Sequence, residues 1–527
     1  MFEIIDNKFH NEQYGDADYL NNWPMLYVLE NGKEAYIGQS NHVQTRMKEH
    51  KASTEKLKFK YAHFIYSEKF NQSVTLDYES RLIRYFAADQ LFDITNKNEG
   101  MANKNYYKKN DYDGLFSELW EDLRKRKLAR LAIEDIENSD LFKYSPYKDL
   151  NDSQRMAVED ILNEIQKDSR IPICVYGMPG SGKTIVAIFL IKYLKDHDEF
   201  KDKKIGLVIP QTSLRGTLKK IFRNIHGLKP ADVLGPYDTA KQKYDILLVD
   251  EAHRLHKYKN ISNMGPHKKN NITLGLPENS DQLDWILTQA ERSILFYDQN
   301  QVVGPSGIEV QTVESKLKEK FNLRMLKYYE LTTQMRVKGG DDYIQYVKDL
   351  LNAKVRTKKE FNHYEFAIIN SIDHFNKLLY KQEKRYKLCR MVAGYAWKWI
   401  SKKNKSAIDI KIESIEKRWN SRLDNWVNSD SAIDEVGCIH SIQGYDLNYA
   451  FVILGQDIRY NHQTGEIEIN PECYYDRNGK ATASKEELTN YIKNIYYVLM
   501  TRGIRGTYLY VCDNHLKNYL SQYIDVQ

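Results

Sequence analysis

The sequence predicts an α/β protein in which a small N-terminal α/β domain precedes two larger parallel-sheet domains. From residue 150 onward, short apolar runs alternate with helical patterns, and this alternation is typical of parallel strands joined by crossover helices. Nearer the N-terminus, apolar runs at residues 25–29 and 35–37 flank a polar, Gly-containing segment at 30–33, which predicts a β-hairpin. We therefore expect a mixed α/β fold with a small first sheet and parallel sheets after it.

The remaining N-terminal patterns complete the small domain and lead into a connection. Residues 43 to about 50 and about 74 to 86 have helical spacing, and an apolar run lies at 59–66. Residues 115–131 are also helical in pattern and carry a basic cluster at 124–127. The cluster is interpreted either as a solvated helix face in a linker or as a nucleic-acid contact. The predicted division is a small domain at 20–104, a helical linker at 105–149, and parallel-sheet domains at 150–330 and 331–527.

Composition is that of a globular chain with several domains. The 527 residues allow roughly three domains, and the net charge of +6 permits a nucleic-acid partner without arguing for one. The five cysteines form no CxxC pair, which argues against a disulfide framework or a zinc ribbon and favours reduced thiols. No apolar run approaches about 18 residues, and the N-terminus lacks the pattern of a signal peptide. We expect no membrane segment and a cytoplasmic protein.

A glycine-rich segment follows the first apolar run of the parallel-sheet region. Residues 177–184 read Gly-Met-Pro-Gly-Ser-Gly-Lys-Thr and match GxxxxGK[ST] directly before a helical stretch. Backbone N–H groups of such a loop surround phosphate oxygens, and the helix N-terminus adds partial positive charge. We expect ATP here, with Lys183 on the β- and γ-phosphates and the Thr184 hydroxyl on Mg²⁺ or Mn²⁺. The nucleotide-binding candidates in this loop are Gly177, Gly180, Ser181, Gly182, Lys183 and Thr184.

Two carboxylates follow a second apolar run at residues 245–249. Asp250 and Glu251 come directly after this run, so we expect them at the end of a buried strand beside the phosphate loop. Asp250 would hold the metal ion, and Glu251 would orient and deprotonate the attacking water.

Several segments occur in the order of helicase motifs. Together they resemble superfamily 1 helicases, and the segment Arg-Met-Val-Ala-Gly-Tyr-Ala-Trp at 390–397 resembles one that marks the Schlafen group 3-like helicase family. Its aromatic residues either stack on bases or pack against the second large sheet. The segments that resemble the Q motif and motifs Ia, II, III, IV, V and VI lie at 150–154, 209–213, 250–253, 296–301, 333–336, 436–444 and 497–503.

The helicase resemblance implies two RecA-like P-loop domains and a role for four further residues. Gln154 would read the adenine base, and Gln301 would sense the γ-phosphate, although Tyr297 stands where the family usually has Gly. Arg336 and Arg502 would act as arginine fingers that reach the transition-state charge when the cleft closes.

The small N-terminal domain resembles the core of GIY-YIG endonucleases. Leu-Tyr-Val at 26–28 and Tyr-Ile-Gly-Gln-Ser at 36–40 carry the likeness, although Met-Leu at 25–26 stands where Gly-Ile is usual. The resemblance implies metal-dependent phosphodiester hydrolysis. The residues that it implicates are Tyr27 and Tyr36 in activating water, Arg46 on the phosphate, His50 sharing the role of base, Glu79 as metal ligand, and Asn96.

These features favour an ATP-dependent helicase coupled to an endonuclease, with DNA a better partner than RNA. Such a linkage would suit the processing or restriction of foreign DNA, as in antiviral defence. One alternative is a nucleotide-gated switch that licenses the nuclease without unwinding, and another is an ATPase with a domain that only binds nucleic acid. A basic insert at 267–271 contacts either a strand or solvent.

Overall fold

The computed structural model describes residues 2–14, 19–96, 106–148, 150–167, 170–259, 261, 264–423 and 425–527. Two compact units are present. The N-terminal unit comprises Met1–Arg155 with Ile188–Asp202 and Leu218–Asp232, and the larger unit comprises Met156–Ala187, Lys203–Thr217 and Val233–Gln527. The predicted domain boundaries at residues 104–105 and 149 lie outside the described residues.

The N-terminal unit contains a mixed sheet of five described strands in the order β1-β4-β2-β3-β5. Strands β2 and β3 form the predicted hairpin, and β5 joins β3 in parallel. The elements are β1 (Glu3–Lys8), α1 (Tyr19–Asn22), β2 (Met25–Glu30), β3 (Glu34–Ser40), α2 (Val43–Ala52), β4 (Tyr61–Tyr66), α3 (Gln72–Asp89), β5 (Asp93–Ile94), α4 (Lys109–Lys125), α5 (Ile133–Asn138) and α6 (Asp140–Lys143).

Both faces of this small sheet are covered. Leu26 and Val28 of β2 pack into one apolar core, whereas Tyr27 packs into another on the opposite face. Successive side chains of a strand point to opposite faces, so a strand that is buried throughout is a central one. Strand β1 pairs with β4 along its whole length, so the sheet includes residues before the predicted boundary at residue 20.

Helix α4 is part of the same core, which differs from the expected linker. Phe116 and Trp120 are fully buried against helix α3 and the sheet. The helix ends at Lys125 rather than near residue 131, because Lys127 adopts a left-handed φ of 62°. In the basic cluster, carboxylates pair with Arg124 (Glu121, 2.6 Å), Lys125 (Asp122, 3.0 Å) and Arg126 (Asp6, 2.9 Å). This arrangement favours the solvated-face interpretation.

The larger unit contains two sheets, and the first has six described strands in the order β11-β6-β10-β9-β7-β8. All its recorded pairings are parallel, which confirms the expected crossover architecture. The elements of this stretch of chain are α7 (Asp152–Gln166), β6 (Ile173–Gly177), α8 (Lys183–Asp196), β7 (Ile205–Val208), α9 (Thr212–Arg223), β8 (Val233–Leu234), α10 (Pro236–Thr239), β9 (Tyr244–Val249), α11 (Met264–Thr273), α12 (Gln282–Gln289), β10 (Ala290–Tyr297), α13 (Val310–Phe321) and β11 (Tyr328–Leu331).

The second sheet of the larger unit has eight described strands in the order β14-β15-β16-β13-β17-β20-β12-β21. Its central pairings are parallel, and β14 and β15 form an antiparallel hairpin at one edge. The elements are α14 (Gly340–Leu350), β12 (Glu365–Ile368), α15 (Ile372–Tyr386), β13 (Cys389–Ala393), β14 (Ile410–Ile412), β15 (Ile415–Trp419), β16 (Glu435–Gly437), α16 (Ile439–Ile442), β17 (Leu447–Leu454), β18 (Ile458–Asn461), β19 (Glu466–Ile469), α17 (Arg477–Lys480), α18 (Lys485–Met500), β20 (Gly503–Val511), α19 (Asn514–Leu520) and β21 (Asp525–Val526).

Central strands of this second sheet are apolar along their length. Every residue of β13 and of β17 is buried, as expected for parallel strands covered on both faces. The five cysteines are free thiols. Among the described residues, no helix combines the length and apolarity that a membrane crossing requires.

Candidate nucleotide and phosphodiester sites

The glycine-rich loop lies between the end of β6 and the start of α8, where the sequence pattern predicts it. Gly180 and Gly182 have φ values of 84° and 83°, a left-handed conformation that side chains with a Cβ rarely adopt. A Cβ on Gly180 would also lie 2.9 Å from the Cβ of Arg336, and one on Gly177 would lie 2.3 Å from the Ser181 hydroxyl. The loop therefore needs glycine for its backbone shape and for the close approach of its neighbours.

Lys183 lies inside this loop and is almost fully buried. Its Nζ donates to the carbonyl oxygens of Gly177 (2.6 Å) and Met178 (3.0 Å) and to Oδ2 of Asp298 (3.2 Å). A buried ammonium with three acceptors is fully compensated. The side chain is thus held at the mouth of the loop, where a phosphate oxygen would be its next partner.

Thr184 and Asp250 form a pair that fits a divalent cation. The Thr184 hydroxyl donates to Oδ2 of Asp250 at 2.7 Å. Oδ1 of Asp250 is buried and has no hydrogen-bond partner among the described residues. Burial, with the neighbouring charge of Glu251, raises the pKa of Asp250 above its usual range. A hydroxyl and an uncompensated carboxylate oxygen are the hard donors that Mg²⁺ prefers, with phosphates completing its shell.

Glu251 is held in a strained backbone conformation next to this pair. Its φ is 53°, and non-glycine residues in this region are often found at functional sites. Nε2 of His253 lies 2.9 Å from its carboxylate. The backbone N–H of Asp298 donates to Nδ1 of the same histidine at 3.4 Å, so in the neutral ring the proton lies on Nε2. Burial alone would raise the pKa of Glu251, but His253, Lys183 and Arg254 together hold it below its usual range.

Gln301 joins the phosphate loop to the second sheet. Its Nε2 donates to Asp298 at 2.7 Å, and its Oε1 accepts from Nε2 of Gln443 and from Nη2 of Arg502, both at 3.1 Å. Arg502 is 1% exposed. Gln443 in turn accepts at its backbone carbonyl from the side chain of Gln211. The structure therefore brings Lys183, Gln301 and Arg502 into one hydrogen-bonded chain through Asp298.

Arg336 lies near the loop but points elsewhere. Its guanidinium pairs with Asp446, while the preceding backbone N–H of Met335 donates to the carbonyl of Gly180 at 2.9 Å. Gln154 is buried, and its side-chain oxygen accepts from the backbone N–H of Asn151 at 3.0 Å. The roles of Arg336 as an arginine finger and of Gln154 as adenine reader stay predictions.

Three residues of this site were not among the candidates from sequence. Asp298, His253 and Gln443 are all buried and connect the predicted residues to one another. Each lies within a helicase-like segment, so the match to that motif could have indicated that the residue belongs to the site. Their connecting role depends on distances in space and could not be read from spacing.

The N-terminal candidates converge on one side of the small sheet. The Tyr27 hydroxyl lies 2.9 Å from Nε2 of His50, and the Tyr36 ring centroid lies 5.3 Å from that of His50. Gly38 makes this possible, because a Cβ there would lie 2.3 Å from Cζ and the hydroxyl of Tyr27. Gly38, in the segment 36–40, is therefore needed for the close packing of the Tyr27 ring.

Charged residues complete this N-terminal cluster. Tyr27, Tyr36, Arg46 and Glu79 line one cavity of about 970 Å³. Burial raises the pKa of Tyr27 above its usual range, a shift that a hydrogen bond with Arg46 opposes. Burial, with the charge of Arg46, lowers the pKa of His50 to about 4, so its ring is neutral near pH 7.

Asn96 has a structural task in the same cluster. Its side chain accepts from the backbone N–H of Ile37 at 3.0 Å and donates to the carbonyl of that residue at 2.7 Å. Both its hydrogen-bonding groups are thus engaged in fixing strand β3. Among the described residues, no group of three or more His, Cys, Asp or Glu side chains could hold a metal ion, and the role of Glu79 as a metal ligand stays a prediction.

Two further segments singled out by sequence have mixed environments. In the segment 390–397, Arg390 is buried on the carbonyl of Val427, and Tyr395 is buried, whereas Trp397 is only half-buried. In the insert 267–271, His267 and Asn271 are fully buried, so only part of that insert faces solvent.

Comparison with known proteins shows a family match over most of the chain after residue 170. Residues 171–513 match the family model described as "Schlafen group 3, DNA/RNA helicase domain". A Saccharomyces cerevisiae relative, "Uncharacterized protein YPL245W", is 26% identical over an alignment of 320 residues, and the match covers 55% of this chain and 68% of the yeast protein.

Solved helicase structures overlap with the chain at low similarity. The Candida albicans Pif1 helicase is 11% identical with a TM-score of 0.31, covering 68% of this chain and 94% of the helicase. A DEAD box protein from Methanococcus jannaschii is 13% identical with a TM-score of 0.27, covering 75% and 96%.

Proposed function

Since this chain belongs to the Schlafen group 3 DNA/RNA helicase family, we propose that its larger unit couples ATP hydrolysis to movement along nucleic acid while its N-terminal unit cleaves phosphodiester bonds. Residues 150–330 and 331–527 are assigned as two RecA-like domains of the motor. The nuclease-like domain is assigned to residues 20–104, extended to include β1 and α4. The observation that carries the proposal is the hydrogen-bonded chain from Lys183 through Asp298 and Gln301 to Arg502.

Each residue of the motor site has a task in hydrolysis. Lys183 exchanges its loop carbonyls for β- and γ-phosphate oxygens, and the loop N–H groups surround the same phosphates. Glu251, oriented by His253, orients the attacking water and accepts its proton. Arg502, and Arg336 after release from Asp446, stabilise the negative charge that develops on the transferred group.

A divalent cation, Mg²⁺ or Mn²⁺, would be held by Thr184 and Asp250. When bound, it supplies neutralisation of phosphate charge. Gln301 contacts both Asp298 and Arg502, so a change in the phosphate loop is transmitted through its amide to the second sheet. Movement then follows from closing and opening of the domains around ATP.

The N-terminal cluster supports phosphodiester hydrolysis by its choice of residues. His50 is neutral near pH 7 and hydrogen-bonded to Tyr27, so it can take a proton from water through the tyrosine hydroxyl. Arg46 is a cation for the phosphate, and Glu79 would hold a divalent metal that supplies charge to the leaving oxygen. DNA is the proposed substrate, and restriction of foreign DNA, as in antiviral defence, is the proposed setting.

The test uses purified full-length chain with labelled single- and double-stranded DNA and RNA, with Mg²⁺ or Mn²⁺, and with or without ATP. Glu79→Ala should abolish cleavage and leave ATP hydrolysis, whereas Lys183→Ala should abolish hydrolysis and change the ATP dependence of cleavage. If no substrate is cleaved under any condition while nucleic acid still stimulates ATP hydrolysis, the nuclease part of the proposal is wrong. If no nucleic acid changes the rate of ATP hydrolysis, the motor part of the proposal is wrong.

A further inference from the structure

Lys56 is a cation of the N-terminal cavity that lies outside both segments with the endonuclease resemblance. It belongs to the loop between α2 and β4 and is half-buried. It lines the same cavity of about 970 Å³ as Tyr36, Arg46 and Glu79. Among the described residues of that lining, Arg46 and Lys56 are the ones of arginine or lysine type. A phosphate that entered this cavity would therefore meet two cations.

The Lys56 side chain is held against an aromatic ring of the site. Its Nζ lies 3.2 Å from the centroid of the Tyr36 ring, and the ring centroid of His50 lies 5.3 Å from that of the same tyrosine. The backbone N–H of Lys56 donates to the carbonyl of Ser53 at 3.0 Å, and its carbonyl accepts from the N–H of the buried Phe59 at 3.1 Å. An ammonium fixed over a ring keeps donors on its other side, so Lys56 is preorganised for an anion in the cavity.

The charge of the cavity favours a second cation for an anionic substrate. Carboxylates line it as well, and they belong to Glu49, Glu55, Asp77 and Glu79. Arg46 pairs with Glu49 at 2.7 Å, so its guanidinium is partly neutralised before any phosphate arrives. A phosphodiester beside these carboxylates is repelled unless more positive charge faces it. Lys56 supplies that charge on the side of the Tyr36 ring.

Both cations act on the same histidine. Burial, followed by the charges of Arg46 and of Lys56, lowers the pKa of His50. The imidazole that is proposed to take a proton from water therefore lies in the field of both cations. Since the phosphate that this water attacks must lie next to the base, Arg46 and Lys56 are both placed to contact its oxygens.

We propose that Lys56 contacts a non-bridging oxygen of the scissile phosphate and acts with Arg46 as a second catalytic cation of the N-terminal site. Water attacks phosphorus, its proton passes to His50, and the leaving oxygen departs with the bonding electron pair and takes a proton from solvent. The Lys56 ammonium keeps its own proton and stabilises the negative charge that develops on the phosphate oxygens. This inference rests on the proposed nuclease function, to which it adds a residue.

The test is single-turnover cleavage by the full-length chain, with Mg²⁺ or Mn²⁺ and the nucleic acid that the wild type cuts. Lys56→Met removes the charge and keeps much of the side-chain length, and it should lower the maximal rate by about 100-fold, as expected when one group that stabilises developing charge is lost. Lys56→Arg keeps the charge and should restore most of the rate. Lys58→Met is the matched control, because Lys58 pairs with Glu34 at 2.8 Å and lies outside the cavity lining.

A second readout does not depend on cleavage. In the full-length chain with isotope-labelled histidine, inorganic phosphate should shift the NMR signal of His50, which the His50→Gln variant assigns. Lys56→Met should weaken this phosphate binding about tenfold, whereas Lys56→Arg should not. Because the shift is measured at His50, phosphate bound at the glycine-rich loop does not contribute.

The outcomes separate this inference from the nuclease proposal. Cleavage or phosphate affinity that is unchanged in Lys56→Met, or equal losses in Lys56→Met and Lys56→Arg, would overturn the role of Lys56 while leaving the nuclease proposal in place. A wild-type chain that cleaves no nucleic acid would overturn the proposed nuclease and this inference with it.

Discussion

Nη2 of Arg502 lies 3.1 Å from Oε1 of Gln301, although the two residues are 201 positions apart in sequence. The contact joins helix α18 and strand β20 of the second sheet to the end of β10 in the first. Because Gln301 also binds Asp298, a change at the phosphate loop has a direct route to Arg502. The contact therefore provides a defined place to test coupling between ATP and movement.

Removal of either partner should slow ATP hydrolysis. We expect Gln301→Ala and Arg502→Ala each to lower the kcat of nucleic-acid-stimulated hydrolysis by about 100- to 1000-fold, because each removes a donor or relay at the developing charge. The double variant should lose little more than either single one, since residues acting as a unit are not additive. Steady-state kinetics check this, with the exposed Gln456→Ala as control. Additive losses would contradict the relay.

Removal of the proposed base should separate binding from hydrolysis. We expect Glu251→Gln to bind ATP with nearly unchanged affinity and to lower kcat by about 100- to 10,000-fold, because the amide cannot accept the proton of water. Equilibrium binding of a fluorescent ATP analogue and single-turnover hydrolysis would measure the two effects. A variant that hydrolyses ATP at the wild-type rate would exclude Glu251 as the base.

Stability of the N-terminal unit should depend on pH through His50. Its folded pKa of about 4 lies below the ordinary value of 6.5, so the unfolded chain binds more protons in this interval and stability falls as pH drops from 6.5 towards 4. Thermal unfolding across this range should show a smaller pH dependence in His50→Gln than in wild type. His226→Gln, at an exposed position, is the control. Parallel curves for His50→Gln and wild type would contradict the expectation.

Packing of Gly38 against Tyr27 should make even a methyl group disruptive. We expect Gly38→Ala to reduce the free energy of unfolding by about 1–3 kcal/mol, because the added Cβ overlaps the tyrosine ring, and to impair cleavage. Gly114→Ala is the matched control, since a Cβ there meets nothing within 4 Å and lies in helix α4, where alanine is favoured by up to about 1 kcal/mol. Denaturant unfolding measures both. Equal stability of Gly38→Ala and wild type would mean that the ring moves freely.

Motor activity should depend on the length of the strand. We expect ATP hydrolysis to rise as single strands lengthen, because a translocating protein dissociates less often per cycle on a longer track. Hydrolysis rates on oligonucleotides of increasing length, compared at equal nucleotide concentration, would measure this. Rates that are indifferent to length would favour the nucleotide-gated switch.

Hydrophobic runs predicted most of the strands and helices well. Strand β6 ends and helix α8 begins at the glycine-rich segment 177–184, as the apolar run before it and the helical stretch after it predict, because buried parallel strands and their crossover helices leave strong periodic signals. Strand β1 was missed, since its alternation of buried and exposed residues is short and its partner β4 is distant in sequence. The end of helix α4 was placed too late because left-handed Lys127 carries no sequence signal of its own.

Motif spacing predicted several residues that the structure brings together, but not the contacts between them. Lys183, Thr184 and Asp250 come together as their chemistry requires. Arg336, by contrast, pairs with Asp446, and that choice depends on the path of the chain after β11. Asn96 was named from its position in a motif, whereas its two bonds to Ile37 reflect the geometry of a sheet edge.

The left-handed backbone at Glu251 lowers the stability of the fold at the same residue that the proposed mechanism requires as a carboxylate. A side chain in that conformation costs roughly 1–2 kcal/mol relative to the right-handed alternative, whereas glycine adopts it freely. Selection for folding alone would favour glycine at this position, so under the proposed function it is selection for hydrolysis that would retain the carboxylate. In a relative that has lost ATPase activity, this residue should therefore be among the first to be replaced. A redesign of the sequence for higher stability should keep Glu251 unchanged if ATP hydrolysis is to be retained.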